Sequence, residues 1–84
     1  MNIYTALKKG QSKLRNNNIS SAQLDSEILM SKAIRKDKKF ITLNLNKEIK
    51  KKVFSYFEFL ISERAKNKPI AYIIKKKGFW KYDF

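Results

Sequence analysis

The chain has 84 residues, 20 Lys and Arg against 7 Asp and Glu, a net charge of +13, and neither cysteine nor histidine. That length allows one domain and a core that buries roughly 60–65% of the surface the unfolded chain exposes. The missing cysteine and histidine exclude disulfides, thiolate metal sites, and His- or Cys-based nucleophilic catalysis.

The first predicted helix runs from Asn2 to Asn16. Ile3, Leu7 and Leu14, with Tyr4 beside them, form an apolar stripe at spacings of four and seven. Asn2 is a candidate N-cap, and Gly10 inside the helix costs about 1 kcal/mol relative to alanine. Asn16, Asn17 and Asn18 signal a turn, because asparagine tolerates left-handed backbone and caps helix ends.

A second helix is predicted over Ser21–Arg35. Ser20 followed three residues later by Gln23 has capping-box spacing, and Ile19 and Leu24 stand where a hydrophobic staple needs them. Asp25 and Glu27 place negative charge near the positive end of the helix dipole. Ala22, Leu24, Ile28, Leu29, Met30, Ala33 and Ile34 cover most of the circumference, the pattern of a buried helix. It is therefore expected to be central, with the other helices around it.

Arg35-Lys36-Asp37 breaks the chain, and Asp37 can cap a short helix Lys38–Leu43 that buries Phe40, Ile41 and Leu43. Asn44 and Asn46 offer caps for the longest helix, Lys47–Lys66. Its apolar stripe is Ile49, Val53, Tyr56, Phe57, Leu60 and Ile61, and its opposite face carries Lys47, Lys50, Lys51, Ser55, Glu58 and Ser62. Arg64, Lys66 and Lys68 favour the negative end of its dipole. Pro69 disfavours helix at Lys68 and suits the start of a further helical segment, Pro69–Ile74. After Lys75-Lys76-Lys77, Gly78 permits a bend. Trp80, Tyr82 and Phe84 then alternate with Lys81 and Asp83 at strand period. A lone strand has no partner, so this tail reads as a connector into a further domain. The fold class is all-α, a small bundle of four or five helices with a β-prone C-terminal tail leading to an absent domain.

The search for chemistry finds little. Gly10 and Gly78 are too far apart for a glycine-rich phosphate loop. Asp25 with Glu27, and Glu58 with Glu63, are spaced so that they do not share a helix face, and all four read as solvent-facing. No residue is assigned a catalytic, cofactor-binding or metal-ligating role. The positive charge suggests an anionic partner. However, 17 of the 20 basic residues are lysine, and lysine, asparagine, isoleucine, phenylalanine and tyrosine share AT-rich codons, so genome composition accounts for part of the excess. Lys50-Lys51-Lys52 reads as a solvated face. Lys75-Lys76-Lys77 beside Phe79 and Trp80 has some likeness to a stacking platform. No run approaches the roughly 20 apolar residues of a membrane span, and Met1-Asn2-Ile3-Tyr4 lacks the order of a signal peptide. The chain therefore reads as cytoplasmic, with no membrane partner.

Ser21-Ala22-Gln23-Leu24-Asp25-Ser26-Glu27-Ile28-Leu29-Met30 resembles the (S/A)-A-x-L-D-A-E-L-L-L segment of the release factor glutamine methyltransferases, the HemK/PrmC family. Arg35 to Ile41 resembles that family's short second signature. Glu63-Arg64 and Pro69-Ile70-Ala71-Tyr72-Ile73 are similar to its R-R-x-x-G-E-P-I-A-Y-I motif, and Phe79-Trp80 with Phe84 to the E-F-W-x-x-x-F that follows. The likeness runs from Leu7 to Phe84. It departs at Asn67-Lys68, where the family has Gly-Glu, at Lys75 in place of Gly, and at Gly78 in place of Glu.

The resemblance implies that residues 1–75 are a helical release-factor-recognition domain and 76–84 the start of an interdomain β-hairpin linker. It also implies a missing C-terminal methyltransferase domain that binds S-adenosylmethionine and methylates the glutamine of the Gly-Gly-Gln motif in peptide-chain release factors. The implied partners are those factors and the chain's own second domain. This chain then has no cofactor and no catalytic site of its own. The alternative reading is a free-standing basic helical domain that binds RNA or DNA, so nucleic acid stands as a second, less favoured partner.

Overall fold

The computed structural model describes residues 1–75. The first helix, α1, spans Ile3–Asn16 and starts where the sequence predicts: the Asn2 side chain accepts from the Thr5 N–H at 2.8 Å. It ends in the asparagine turn, with Asn18 left-handed at φ 64° and Asn17 donating from its side chain to the Lys13 carbonyl. These bonds satisfy groups that a bare helix end leaves open.

The second helix, α2, spans Ala22–Ile34 and is the central one, packed against all four others. Its start differs from the expectation. The cap is Ser21, without a side-chain bond to the helix backbone, and Leu24 is half exposed while Ile19 is buried. The Ser20 capping box and the Ile19–Leu24 staple therefore do not form. The Ser21 hydroxyl donates to the Asp25 carboxylate instead. Nor is α2 apolar all round, since its buried residues include Asp25 and Ser26 beside Ala22, Leu29, Met30 and Ala33.

The short helix α3, Lys38–Leu43, has the predicted Asp37 cap, whose carboxylate accepts from the Phe40 N–H at 2.9 Å. Ile41 is buried and Phe40 half-buried, but Leu43 is 71% exposed, against the expectation that it would be buried. Asn44 caps the end of α3 and not the start of the next helix.

The longest helix, α4, is Lys51–Ala65 with Lys50 as its cap, four residues shorter at its start than predicted. Residues 44–46 form a turn and 47–49 then run along the N-terminus. The Leu45 and Lys47 carbonyls accept from the Tyr4 and Ile3 N–H groups, and the Ile49 N–H donates to the Met1 carbonyl. An isolated antiparallel bridge joins Asn2 and Glu48. The opening N–H groups of α1 have no partner within their own helix. The 45–47 carbonyls supply one, and that pairing wins over helix propensity.

Beyond α4, Asn67 is left-handed at φ 67°, filling the position where the resembled motif has glycine. After Pro69 comes α5, Ile70–Lys75. The expected β-prone tail, 76–84, lies outside the described residues, as do Trp80, Tyr82 and Phe84.

Gly10 also has a structural reason. It is buried on α1, and a Cβ there would sit 2.8 Å from Cζ of Phe57 and 2.9 Å from Cδ1 of Ile61. Its low helix propensity is the cost of bringing α1 close to α4.

The core joins these faces: Ile3, Ala6, Leu7 and Leu14 from α1, Leu29 and Met30 from α2, Ile41 from α3, Phe57, Leu60 and Ile61 from α4, and Ile73 from α5. Among the described residues the architecture is all-α, a small bundle of five helices.

Candidate functional site

The two stretches that carry the sequence resemblance meet in space, where the start of α2 faces the end of α4. Arg64 Nε lies 2.8 Å from Asp25 Oδ2, across 39 residues of sequence. The carboxylate also accepts from the Ser21 hydroxyl at 2.8 Å. Arg64 reaches onward, donating from Nη1 to the Lys68 carbonyl at 3.0 Å. One guanidinium thus ties α2 and α4 to the turn that leads into α5. The planar fork of arginine can serve a carboxylate and a carbonyl together, which a lysine ammonium cannot do in fixed geometry.

A second pair lies on the same turn. Glu63 is buried and takes Lys68 Nζ at 2.5 Å on one oxygen and Lys66 Nζ at 3.3 Å on the other. The resembled motif places arginine at position 63 and glutamate at position 68. This chain has Glu63 and Lys68, so the pair faces across the turn with its charges exchanged.

The hydrogen bond from Lys68 holds the Glu63 carboxyl below its ordinary value of 4.5, against the opposing pull of burial. The same bond raises the Lys68 ammonium above its ordinary value of 10.5. Lowering the carboxyl pKa in the folded state stabilises the fold above the ordinary glutamate value, and that stabilisation is lost as pH falls through the lower folded value. Acid unfolding should show it. Glu63→Gln is expected to flatten the loss of stability below the ordinary glutamate value of 4.5, followed by urea titration at stepped pH. Parallel acid limbs for the two proteins would contradict this.

These placements correct the sequence reading. Asp25 and Glu63 are buried and paired, not solvent-facing, and Arg64, Lys66 and Lys68 act through specific carboxylates more than through the helix dipole. The available signal was an aspartate set among the apolar positions of a helix expected to be central, where a buried carboxylate needs a cation from elsewhere. Chemically, the network is a clamp. Each carboxylate already faces an arginine or a lysine.

Ser26 sits beside this clamp, fully buried, and its hydroxyl has no hydrogen-bond partner. The resembled segment has alanine at this position. Ser26→Ala is expected to raise stability by about 1 kcal/mol, since it removes an unsatisfied buried hydroxyl. A lowered urea midpoint would contradict that.

Elsewhere the surface is basic. Lys50, Lys51 and Lys52 are all exposed around the start of α4. A shallow open concavity lies between α1 and the α3–α4 connection, lined by Tyr4, Thr42, Leu43, Asn44, Leu45 and Lys47. Among the described residues no group of three or more His, Cys, Asp or Glu could hold a metal ion, and no helix is long and apolar enough to cross a membrane.

Comparison with known proteins converges on one family. The model described as the PrmC N-terminal domain matches residues 5–74. A release factor glutamine methyltransferase of Buchnera aphidicola is 35% identical over 80 residues, covering 95% of this chain and 28% of that protein. One from Clostridium acetobutylicum is 36% identical over 84 residues, covering 100% of this chain and 30% of that protein. A bifunctional methyltransferase of Rickettsia felis is 37% identical over 82 residues, 98% of this chain and 16% of that protein. The chain thus spans less than a third of each relative. No solved structure matches it. The nucleic-acid reading gains no support from these matches.

Proposed function

Because this chain belongs to the PrmC N-terminal domain family, we propose that it is the substrate-recognition domain of an S-adenosylmethionine-dependent methyltransferase. Its substrate is the glutamine of the Gly-Gly-Gln motif in peptide-chain release factors. Residues 1–75 form the recognition domain and 76–84 begin the linker to the methyltransferase domain. That domain holds the cofactor and the catalytic groups, and this chain supplies neither. The enzyme acts in the cytoplasm, where release factors work.

The observation that carries this reading is the match of the family model to residues 5–74, supported by relatives named as release factor glutamine methyltransferases over nearly the whole chain. The fold adds physical support. The signature residues Asp25 and Arg64 bond to each other, so the motif has a mechanical purpose in this chain. It fixes α2, α4 and the lead into α5 as one body, from which a second domain can be held at a set angle. A recognition domain contributes by positioning: binding energy far from the reacting atoms orients the target amide.

A competition assay tests the proposal. Incubated with release factor and S-adenosylmethionine, the chain should transfer no methyl group. In excess, it should slow methylation of the factor by a full-length enzyme of the family, because it sequesters the substrate. Methyl transfer by the chain itself, or an undisturbed rate, would contradict the proposal.

A further inference from the structure

We propose that the concavity between α1 and the α3–α4 connection is the docking surface for an acidic, apolar-tipped polypeptide segment of the substrate protein. This inference rests on the function proposed above and adds to it which face is used.

The described residues expose several large apolar side chains, among them Tyr4, Leu24, Leu43, Phe59 and Tyr72. Tyr4 and Leu43 share one concave surface. Leu43 is 71% exposed and Tyr4 49%. A lone exposed leucine needs no explanation. A leucine and a tyrosine lining one hollow offer a pocket for an apolar anchor.

The charge around this hollow fixes the chemistry of the occupant. Lys47 lines it, and Lys8 brings its ammonium 5.4 Å from the centroid of the Tyr4 ring. Lys39, one helical turn before Leu43, is also exposed. The nearby carboxylate, Glu48, is taken by the Met1 ammonium at 2.9 Å. The rim is therefore positive and the floor partly apolar, complementary to a segment that carries Asp or Glu beside a Leu, Met or Phe. A nucleic acid fits less well. Lysine occupies one face of the Tyr4 ring, which obstructs base stacking, and an aliphatic leucine gains nothing from phosphates.

The backbone beneath the hollow is already fixed. The Leu45 and Lys47 carbonyls accept from the Tyr4 and Ile3 N–H groups, so the surface is held before a partner arrives and little ordering is left to do on binding.

The test is calorimetric titration of the 84-residue chain with peptide-chain release factor. Leu43→Ser should weaken binding by about tenfold or more, as loss of a central anchor does. Lys47→Glu should weaken it and flatten its salt dependence, as loss of a rim charge does. Leu24→Ser, at an exposed apolar residue outside the hollow, should bind as the parent does. All three positions are exposed, and unchanged circular dichroism and thermal midpoints would show that folding is intact. If the factor binds all variants equally, the docking surface is overturned while the functional reading stands. If the factor binds none of them, parent included, both fall. If an RNA oligonucleotide of unrelated sequence displaces the factor from the hollow at physiological salt, the occupant is nucleic acid and the proposal is overturned.

Discussion

Replacing Leu29 by alanine is expected to destabilise the fold by about 2–5 kcal/mol, the range for buried leucine truncations. Leu29 is fully buried in α2, the helix that packs against all the others. Truncation therefore leaves a hole that no single neighbour can fill by shifting. The loss combines the transfer energy of the removed carbons with the cavity they leave. A domain of this size has little stability to spare, so a loss at the upper end would unfold a large fraction of the molecules. Urea denaturation followed by circular dichroism measures it. A change below about 0.5 kcal/mol, the scale of ordinary surface substitutions, would mean that α2 is not the centre of the core.

Breaking the Asp25–Arg64 pair should have an effect of similar size. Removing one partner of a buried pair costs about 3–5 kcal/mol. The Arg64 side chain retains 18% exposure, so water can partly rescue it, and Asp25→Ala is expected at the low end, near 3 kcal/mol. The Arg64 link to the Lys68 carbonyl adds a second expectation: amides of α5 should lose hydrogen-exchange protection in the variant. Replacing both residues, as Asp25→Ala with Arg64→Met, should recover part of the loss, because no charge is then left without its partner. A double-mutant cycle separates the pair energy from the individual costs, with a coupling of about 0.5–3 kcal/mol expected. Strict additivity would show that the pair is incidental.

These two residues also show what the sequence could and could not reveal. The apolar periodicity of Ile3, Leu7 and Leu14, and of Phe57, Leu60 and Ile61, was legible because helix faces repeat locally. So were the caps at Asn2 and Asp37, since each acts within a few residues. Some errors are local, as where Ser21 bonds to Asp25 in place of the Ser20 capping box and Lys68 pairs with Glu63, but the larger ones involve partners distant in sequence. Residues 47–50 look helical by propensity, but the Leu45 and Lys47 carbonyls accept from the first amides of α1 and hold this stretch against the N-terminus. Asp25 reads as a solvated dipole partner until Arg64, 39 residues away, is brought against it. Gly10 reads as a weak point in α1 until Phe57 and Ile61 are placed where its Cβ would be. Leu43 satisfies the local apolar pattern, yet among the described residues it is left exposed. The candidate docking hollow was illegible for the same reason, because Tyr4 and Leu43 come together only through the α1 pairing. The resemblance includes Asp25, Arg64 and the Pro69–Ile73 stretch, and the structure joins the first two directly and links Arg64 to the Lys68 carbonyl just before Pro69.

Recognition of a peptide-chain release factor is the core of the function proposed for this chain. Titration of the purified 84 residues with that factor in a calorimeter tests it most directly. Saturable one-to-one binding that weakens as salt rises is expected for a chain of net charge +13 meeting an acidic segment. No detectable binding at low salt, by a chain whose circular dichroism shows it to be folded, would contradict release-factor recognition.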